Sequence, residues 1–515
     1  MKKSDMEFLV DKGIDIVEAT KMGYAEIKTP DGKSLWITEK PPLNPAMVAD
    51  FYQFTMMAAY IESGKADEIA TFNGFYRRNP FGGGFTLAVG LERIIEYLEQ
   101  FQFTGRDIDH MRKHWKMPKS FYEYIREAKF DGTLEALPEG TMAQPYIPMV
   151  QLTGTLPIAN FVETYILNKL GFPTLVTTKA ARIYLHGKKP YLEFGLRRAQ
   201  GGDEGGLMAS RAAYIGGAFG TSNVSAEIVH GIPAKGTHAH SFVEAFPTQK
   251  NAFRSYADVF GEESVFLIDT YGYSKGVEDA VTVAKEKGLK TFSGVRDDSG
   301  DLAYQSRIIR KILDDNGFKD AKITVSNDID ERIAKSLIEQ GAEIDLYGIG
   351  TKLVTADGSP SLGIVYKLVQ IGDRYAIKIS GNEEKITDPG RKNVYRLLDK
   401  NGHYAADVML TSDEILEDEI LEDEITVHHR SRGYETKKFN NTQNAIPLLA
   451  TIFENGVRTY RKPTLDEIKH RALSELDRLW PEITRLENPA EYLVGLSPHL
   501  KKIKDKMIQQ YAIKK

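Results

Sequence analysis

The segment Gly236-Thr237-His238-Ala239-His240-Ser241 holds the side chains best suited to covalent or acid–base chemistry. The 515 residues include no cysteine, so thiolate nucleophiles, disulfides and cysteine zinc sites are excluded. A neutral imidazole, with an ordinary pKa of about 6.5, is nucleophilic at neutral pH. Because the neighbours of His240 are small and polar, they suit a phosphate or an oxyanion. We therefore expect His240 at the centre of an active site.

His238 and His240 also allow a different chemistry. They lie two residues apart, which places both side chains on one side of an extended strand end, and some barrel hydrolases hold a metal ion with such a pair. A metal centre needs further ligands, however, and the next histidine along the chain is His403. A metal-dependent barrel hydrolase that uses His238 and His240 stays open as an alternative, as does a loop histidine bonded only to backbone.

Arginines and glycines that suit anion binding follow several apolar runs. Arg197, Arg198 and Arg296 can recognise a phosphate or a carboxylate through paired hydrogen bonds. The sequence Gly348-Ile349-Gly350-Thr351 could offer backbone N–H groups and a hydroxyl to a phosphate, although two glycines after a strand more often mark a tight turn. The arginines favour the phosphate interpretation.

A cluster of carboxylates, Asp297, Asp298 and Asp301, lies beside Ser299. Such groups could hold sugar hydroxyls or a magnesium ion. Helix capping is the structural alternative, since Asp298 or Ser299 could cap a helix that begins near residue 302. We therefore expect only part of this cluster to be functional.

The elements that position these residues show a βα alternation from about residue 174 to 370. The apolar runs expected to form strands cover residues 190–194, 213–215, 232–234, 265–268, 289–292, 323–325 and 344–347. The expected helices cover residues 277–287, 302–315 and 331–339, and each ends near a glycine, which tolerates the left-handed conformation. The alternation indicates a (β/α) barrel or a doubly wound sheet, in which active residues follow the carboxyl ends of the strands.

The pattern divides the chain into four parts. Residues 1–40 are an N-terminal extension, residues 41–173 an α/β domain, and residues 174–370 the barrel-like catalytic domain. Residues 371–515 are highly charged, and we expect a mostly helical region that packs on the other two domains. Within it, residues 414–423 repeat Glu-Ile-Leu-Glu-Asp, which we interpret as a solvated helical face or loop.

Composition limits the partners and the compartment. The net charge is −5 and no long basic run is present, which argues against nucleic acid as a partner. No apolar run approaches the roughly 18 to 20 residues of a membrane span. The first seven residues are too rich in charge for a secretory signal. We therefore expect a cytoplasmic protein with neither a membrane nor a nucleic-acid partner.

Five motifs in one order resemble the nicotinate phosphoribosyltransferase family, whose members make nicotinate mononucleotide for NAD synthesis. The resemblance extends from about Leu43 to Thr351. The motifs are Asp50-Phe51-Tyr52-Gln53-Phe54-Thr55-Met56, Glu193-Phe194-Gly195-Leu196-Arg197-Arg198-Ala199-Gln200-Gly201, Gly236 to Ser241, Val295-Arg296-Asp297-Asp298-Ser299-Gly300-Asp301, and Gly348 to Thr351. Together they are highly specific.

The resemblance implies an α/β fold, with an irregular (β/α) barrel and a second α/β domain built from N-terminal and C-terminal segments. It also implies transfer of phosphoribosyl from phosphoribosyl pyrophosphate to nicotinate, with Mg²⁺ as cofactor and ATP as co-substrate. The family's Gly-Thr-x-Ala-His motif carries a histidine that ATP phosphorylates, and this position falls on His240 rather than His238. By analogy with oriented catalytic bases, we expect Asp269 to hold the other ring nitrogen of His240.

The resemblance also assigns the pyridine substrate. Tyr52 and Phe194 look like the aromatic faces that sandwich the ring, and Arg296 with Thr237 looks like the reader of its carboxylate. Family sites lie at a dimer interface, so we expect a homodimer with shared active sites and regard Tyr52 as a candidate contribution from the second subunit. Ser222 stands where nicotinamide-using relatives carry an acid, which favours nicotinate. A nicotinamide-using relative stays an alternative.

A further set of residues is assigned to phosphoribosyl pyrophosphate. The candidate ligands of this substrate are Arg197, Asn327, Gly348, Gly350 and Thr351. Asp298, expected to be catalytic, would address the ribose or the pyrophosphate. No side chain is assigned to Mg²⁺.

The sequence departs from the family pattern in three places. Residues 1–40 precede the usual start, Ala49 stands where a hydroxyl residue is common, and the tail beyond residue 400 contains no matching motif. A catalytically silent relative that only binds its ligands is a third alternative. The presence of the expected arginines and of His240 argues against it.

Overall fold

The computed structural model describes residues 15–20, 24–28, 34–38, 43–414, 424–440 and 445–511. Near the amino terminus, three short strands pair as an antiparallel sheet: Asp15–Thr20, Tyr24–Lys28 and Ser34–Thr38. The prediction for the acidic repeat falls, after Glu414, outside the described residues. Among the helices that are described, none combines the length and the apolar character needed to cross a membrane.

Six parallel strands form the sheet that carries the predicted strand ends. In spatial order they are Gly220–Thr221, Tyr191–Glu193, Leu346–Ile349, Lys322–Val325, Gly294–Asp297 and Val265–Leu267. A parallel bridge between Thr221 and Ala234 extends the sheet towards residues 236–241. The connecting helices are Gly202–Ile215, Val224–His230, His240–Glu244, Gln249–Phe260, Tyr273–Glu286, Leu302–Asp315, Glu331–Glu339 and Thr351–Val354. The predicted fold class is confirmed.

Three of the predicted strands are wrong; of these, residues 232–234 contribute only the isolated bridge of Ala234 to Thr221. Residues 213–215 end the helix Gly202–Ile215, and residues 289–292 precede the strand Gly294–Asp297. Three or four buried apolar residues fit a helix as well as a strand, so their periodicity does not distinguish the two. The strand begins instead at Gly294, where an added Cβ would lie 2.1 Å from the Lys322 carbonyl oxygen. Glycine therefore permits the close approach of the next strand.

The helix Leu302–Asp315 has the predicted bounds but not the predicted cap. The Tyr304 N–H donates to Asp301 Oδ1 at 3.0 Å, so Asp301 is the N-cap. Asp298 and Ser299 are thereby free for other contacts, which they make in the site described below.

A seven-stranded antiparallel sheet forms the second α/β domain. Its strands, in spatial order, are Arg374–Tyr375, Val365–Ile371, Ile69–Phe75, Val150–Thr155, Thr133–Ala136, Ala450–Glu454 and Val457–Arg458. Its helices are Phe51–Glu62, Leu91–Glu99, Gly105–His114, Lys119–Glu127 and Leu156–Phe161. N-terminal and C-terminal segments therefore build this domain together, as the fold prediction had it.

The helix Glu163–Gly187 connects the two domains and spans the boundary predicted at residue 173. It packs against Leu91–Glu99 on one side and against Gly202–Ile215 on the other. Lys179 and Arg182 on this helix both pair with Glu331, with N–O distances of 2.8 and 3.0 Å. All three side chains are buried, so losing one partner would leave an uncompensated charge.

The expectation of a mostly helical region at residues 371–515 is wrong. A six-stranded sheet lies there, with strands Thr436–Asn440, Glu424–His429, Leu493–Leu496, Tyr404–Thr411, Lys392–Leu398 and Ile446–Pro447 in spatial order. Its described helices are Leu465–Asp477, Pro481–Thr484 and Pro498–Tyr511. Charge was a poor guide because some charged residues are internal: Arg396 is fully buried and pairs with Asp407 at 2.8 Å and Glu475 at 2.9 Å.

Candidate active site

The carboxyl ends of the parallel strands surround a pocket of about 660 Å³, a volume typical of small-molecule sites. The lining residues are Phe194, Arg197, Arg198, Ser222, Gly236, Thr237, His238, Ala239, His240, Arg296, Asp298, Ser326, Asn327, Asp328, Gly348, Gly350 and Thr351. Every predicted site residue except Tyr52 and Asp269 is among them. The structure thus gathers segments that lie more than 150 residues apart in the sequence.

Phe194 packs its ring on the backbone of the neighbouring strand Leu346–Ile349. A Cβ added to Gly348 would lie 2.7 Å from the ring, and the Phe194 N–H donates to the Ile349 carbonyl at 2.8 Å. Only glycine leaves room for the ring in this position. Packing of the Phe194 ring therefore explains why residue 348 is a glycine, whether or not a phosphate binds there.

Arg296 presents a guanidinium that forms no ion pair with any described residue. Its Nη1 donates to Thr237 Oγ1 at 2.7 Å, and its buried Nε has no hydrogen-bond partner. Burial lowers the pKa of this guanidinium below its ordinary value, although Asp298 and Asp269 oppose the shift. A buried cation without an acidic partner is costly, so it suits a site that receives an anionic ligand.

His240 begins the helix His240–Glu244 and is held by a carboxylate behind the pocket. Its Nε2 lies 3.1 Å from Asp269 Oδ1, and Ser299 Oγ donates to Asp269 Oδ2 at 2.7 Å. The Asp269 side chain is 5% exposed, whereas His240 is 39% exposed. One ring nitrogen is thus oriented from within the protein and the imidazole remains open to the pocket.

His238 does not share the position of His240. Its Nε2 accepts a hydrogen bond from the Leu267 N–H at 3.2 Å, and its ring packs on Phe242, Phe253 and Tyr256. Burial lowers the pKa of His238 to about 4. The expectation that both rings point the same way fails because residues 236–239 are not a strand and a helix begins at His240.

These contacts leave the metal-dependent hydrolase without support. The Nε2 of His238 is occupied by a backbone N–H, so it cannot also bind a metal ion. Within the described ranges, no group of three or more His, Asp or Glu residues is arranged to hold one.

Ser326 and Asp328 line the pocket and were not predicted as site residues. Ser326 Oγ donates a short hydrogen bond to Asp298, while Asn327 and Asp328 have φ values of 102° and 39°. Consecutive residues with positive φ are strained, and asparagine and aspartate tolerate that region best. The Asn-Asp pair directly after an apolar run was the available signal for this turn.

Asp297 ends the strand Gly294–Asp297, between Arg296 and Asp298, but does not line the pocket. It is 0% exposed, and neither carboxylate oxygen has a hydrogen-bond partner of acceptable geometry. Burial raises the pKa of Asp297 to about 7; the nearby Asp269 and Asp298 add to the rise, and the Ser299 backbone N–H opposes it only weakly. The strand alternation thus separates two pocket-facing side chains from one internal acid.

Tyr52 is the one predicted substrate contact that the chain does not bring to the pocket. It lies on the helix Phe51–Glu62, is 47% exposed, and donates to Glu163 Oε2 at 3.3 Å. Its neighbour Phe51 is also exposed. The second aromatic face that the resemblance implies is therefore not among the described residues that line this pocket.

Comparison with known families gives three matches along the chain. The N-terminal domain profile of nicotinate phosphoribosyltransferase (NAPRTase) matches residues 47–170, the NAPRTase family profile matches residues 191–428, and the C-terminal domain profile matches residues 391–504. The matches cover well over half of the chain.

Individual relatives agree with these profiles. Nicotinate phosphoribosyltransferase of Bacillus subtilis (strain 168) is 41% identical over 456 residues, covering 87% of this chain and 92% of the relative. The Homo sapiens nicotinate phosphoribosyltransferase is 33% identical over 517 residues, covering 88% and 95%. The crystal structure of human nicotinic acid phosphoribosyltransferase superposes with a TM-score of 0.77 at 31% identity, covering 89% of this chain and 99% of that one.

The buried acid Asp297 makes stability depend on pH. Because its folded pKa of about 7 exceeds the ordinary 3.8, the folded state keeps a proton that the unfolded state releases between these values. The stabilisation is complete below pH 3.8 and is lost as pH rises to 7. We expect Asp297→Asn to gain stability over the wild type by roughly 2 to 3 kcal/mol between pH 5 and 7, at about 1.4 kcal/mol per pKa unit.

Urea unfolding at pH 5, 6, 7 and 8 measures this difference. Asp320→Asn, at an exposed position, is the matched control and should show no such trend. A stability difference between Asp297→Asn and the wild type that stays constant with pH would contradict a raised pKa.

Proposed function

The chain belongs to the nicotinate phosphoribosyltransferase family, and we propose that it transfers phosphoribosyl from 5-phosphoribosyl 1-pyrophosphate to the ring nitrogen of nicotinate. The products are nicotinate mononucleotide and pyrophosphate, so the reaction belongs to NAD biosynthesis. The observation that carries the proposal is the Arg296 guanidinium, which Thr237 orients and which forms no ion pair with a described acid. It lies in one pocket with Phe194 and Arg197.

Nicotinate supplies the anion that Arg296 lacks. Its carboxylate would accept hydrogen bonds from Arg296 and Thr237, and its ring would stack on Phe194. Ser222 lines the same pocket and carries no charge that would repel a carboxylate. This arrangement favours nicotinate over nicotinamide, because the amide would leave the buried guanidinium without a countercharge.

Phosphoribosyl pyrophosphate would occupy the remainder of the pocket. The groups available for its phosphates are Arg197, Asn327, Gly348, Gly350 and Thr351. Asp298, which Ser326 orients, is placed to accept from ribose hydroxyls. A cationic side chain, backbone N–H groups and a hydroxyl together match the acceptor oxygens of a phosphate.

The reaction makes few demands on acid–base groups. The bond from the anomeric carbon to pyrophosphate breaks, and the lone pair of the pyridine nitrogen forms the new C–N bond. Since that nitrogen carries no proton, no general base is required. Positioning of the two substrates and neutralisation of the departing pyrophosphate would supply the rate enhancement.

His240 would therefore serve a second reaction, with ATP. With Nε2 donating its hydrogen bond to Asp269, the Nδ1 lone pair would attack the γ-phosphorus, forming an N–P bond as the P–O bond to ADP breaks. Later loss of that phosphoryl group to water would couple ATP hydrolysis to nucleotide formation. The partial exposure of His240 supports access by a large co-substrate.

Mg²⁺ fits this pocket as a cofactor carried largely by substrate. It often binds through one or two carboxylates plus substrate phosphates rather than through a protein cage. Asp298 and Asp328 are the carboxylates that line the pocket and would hold it there. The ion would neutralise phosphate charge. Cytoplasmic location stays a prediction.

A homodimer would complete the site. Tyr52 and Phe51 form an exposed aromatic pair outside the pocket of their own chain. If the chain pairs with a second copy, Tyr52 of one protomer can cover the pyridine ring on Phe194 of the other. Shared sites of this kind would make each protomer inactive alone.

The central test measures substrate, coupling and His240 together. Purified protein with nicotinate, phosphoribosyl pyrophosphate and Mg²⁺ should form nicotinate mononucleotide, and ATP should stimulate it. We expect His240→Asn to abolish the stimulation and leave a slow ATP-independent transfer, because the histidine is not the base of that transfer. Asp269→Asn should reduce phosphohistidine formation. The control is His470→Asn at an exposed position, which should keep the ATP stimulation of the wild type.

Two outcomes would count against this proposal. Substrate binding without any turnover of nicotinate by the wild type would favour a catalytically silent relative. Undiminished ATP stimulation in His240→Asn would remove the phosphohistidine step but leave the transfer itself in place.

Replacing Ser222 tests which pyridine substrate, nicotinate or nicotinamide, the pocket prefers. We expect Ser222→Asp to lower kcat/KM for nicotinate by roughly 100-fold through charge repulsion in the pocket, and to raise the relative use of nicotinamide, whose amide can donate to the new carboxylate. Ser222→Asn, which has the same size without the charge, is the matched control. Parallel assays with both bases give the ratio. A wild-type preference for nicotinamide would contradict our assignment.

Tyr52 tests the shared site. We expect Tyr52→Ala and Arg296→Ala proteins each to lose most activity. When equal amounts are unfolded together and refolded, random pairing should restore about a quarter of the wild-type activity, since half of the dimers then hold one intact site of two. If both residues served the same chain's pocket, mixing would restore nothing.

A further inference from the structure

Glu193 is a fully buried carboxylate behind the pocket. It ends the strand Tyr191–Glu193, which lies between Gly220–Thr221 and Leu346–Ile349. Its side chain is 0% exposed and forms no ion pair with the residues that the structure describes. Burying an unpaired carboxylate costs several kcal/mol, so its contacts must compensate for the lost hydration.

Three neutral donors surround this carboxylate. The Gly195 N–H donates to Oε1 through a short hydrogen bond, while Ser210 Oγ and Thr221 Oγ1 donate to Oε2 at 2.9 and 2.5 Å. Hydrogen bonds to an ionised acceptor are shorter and stronger than those between neutral groups. One side chain therefore connects a loop, the helix Gly202–Ile215 and the adjacent strand.

The backbone of Glu193 strengthens the same connection. The Ser222 N–H donates to the Glu193 carbonyl at 2.8 Å, and Thr221 Oγ1 accepts from the Asn223 N–H at 3.0 Å. Asn223 in turn donates from Nδ2 to Ser210 Oγ at 3.1 Å. Hydrogen bonds thus connect Glu193 to Thr221 before Ser222 directly, and to Asn223 after it through Ser210 and Thr221.

The two segments that Glu193 connects, residues 193–195 and 221–223, carry two proposed contacts of the pyridine substrate. Phe194 lies between Glu193 and Gly195, and Ser222 lies between Thr221 and Asn223. Glu193 reaches neither the pocket nor the substrate, since it is absent from the pocket lining. Any effect on the reaction must therefore pass through the residues that it holds.

We propose that Glu193 is a positioning residue that fixes Phe194 and Ser222 relative to each other and so sets the affinity for, and the choice of, the pyridine base. This inference rests on the proposed function of the pocket. Glutamine at this position would turn an NH₂ group towards at least one of the three donors. We expect the loop and the turn then to lose their fixed spacing, which would loosen the slot for the ring.

Two variants test this role in the full-length protein. For Glu193→Gln we expect KM for nicotinate to rise roughly tenfold and the preference for nicotinate over nicotinamide to fall, with kcat within about threefold of the wild type. KM for phosphoribosyl pyrophosphate should change by less than about threefold, because most of its proposed ligands lie on other strands.

Thr221 provides a second variant with matched controls, so the test survives if Glu193→Gln does not fold. Thr221→Val removes the hydroxyl without changing the shape and should raise KM for nicotinate. Thr221→Ser keeps the hydroxyl, so its KM for nicotinate should stay at the wild-type value. Thr177→Val removes another buried hydroxyl, which donates to the Ala212 carbonyl away from the pocket. It should lower the melting temperature without changing either KM.

The outcomes separate the inference from the function on which it rests. A wild-type protein that does not convert nicotinate would refute the proposed function. Wild-type turnover with lowered melting temperatures but unchanged KM and base preference in Glu193→Gln and Thr221→Val would refute only the role of Glu193. A parallel rise of KM for both substrates would also refute it, since that result indicates a general loss of order.

Discussion

The parallel register of six strands is the constraint on which the site depends. Glu193 pairs with Ile349, and Asp297 pairs with Val325, so the residues that follow these strands emerge at one edge of the sheet. Side chains alternate along a strand, and a shift of one residue would turn Arg296 away from the pocket and Asp297 into it. The internal acid and the pocket-facing guanidinium then could not keep their present environments. The register of the strands therefore also determines which charged side chains face the pocket.

Close backbone approach is the second requirement at this edge. Phe194 occupies its position because Gly348 carries no side chain on the facing strand, and Gly294 allows its strand to lie against Lys322. Both contacts would be lost with any larger residue. Glycines after an apolar run therefore do not by themselves indicate phosphate binding, because packing already explains one of those at residues 348–350. The proposed phosphate role depends instead on the arginine and hydroxyl groups nearby.

The sequence was informative where periodicity and chemistry agreed. The helix Leu302–Asp315 was predicted with its true bounds because an apolar face and a terminal glycine both marked it, and the strand ends were located because polar groups interrupt apolar runs. The strands at residues 392–411 were missed because charges such as Arg396 and Asp407 pair inside the fold. Glu193 was overlooked as a site element because its partners Ser210 and Thr221 are distant in sequence. A pairwise contact of that kind is a tertiary property that local patterns do not contain.

The division of labour proposed for the pocket follows from the hydrogen bonds and charges of its groups. In the proposed transfer a pyridine nitrogen needs no base, so His240, which Asp269 orients, would have no task in the transfer itself. A guanidinium without an acid needs an anion, and the adjacent aromatic ring favours a flat one. These two needs involve different residues. Arg296 donates to Thr237, whereas His240 contacts Asp269, which also accepts from Ser299. Asp298 lies next to Ser299 in the chain and bonds to Ser326, so the segment 296–299 contacts both groups of residues. Coupling between the two proposed reactions would therefore pass through four consecutive residues, 296–299, at the end of the strand Gly294–Asp297.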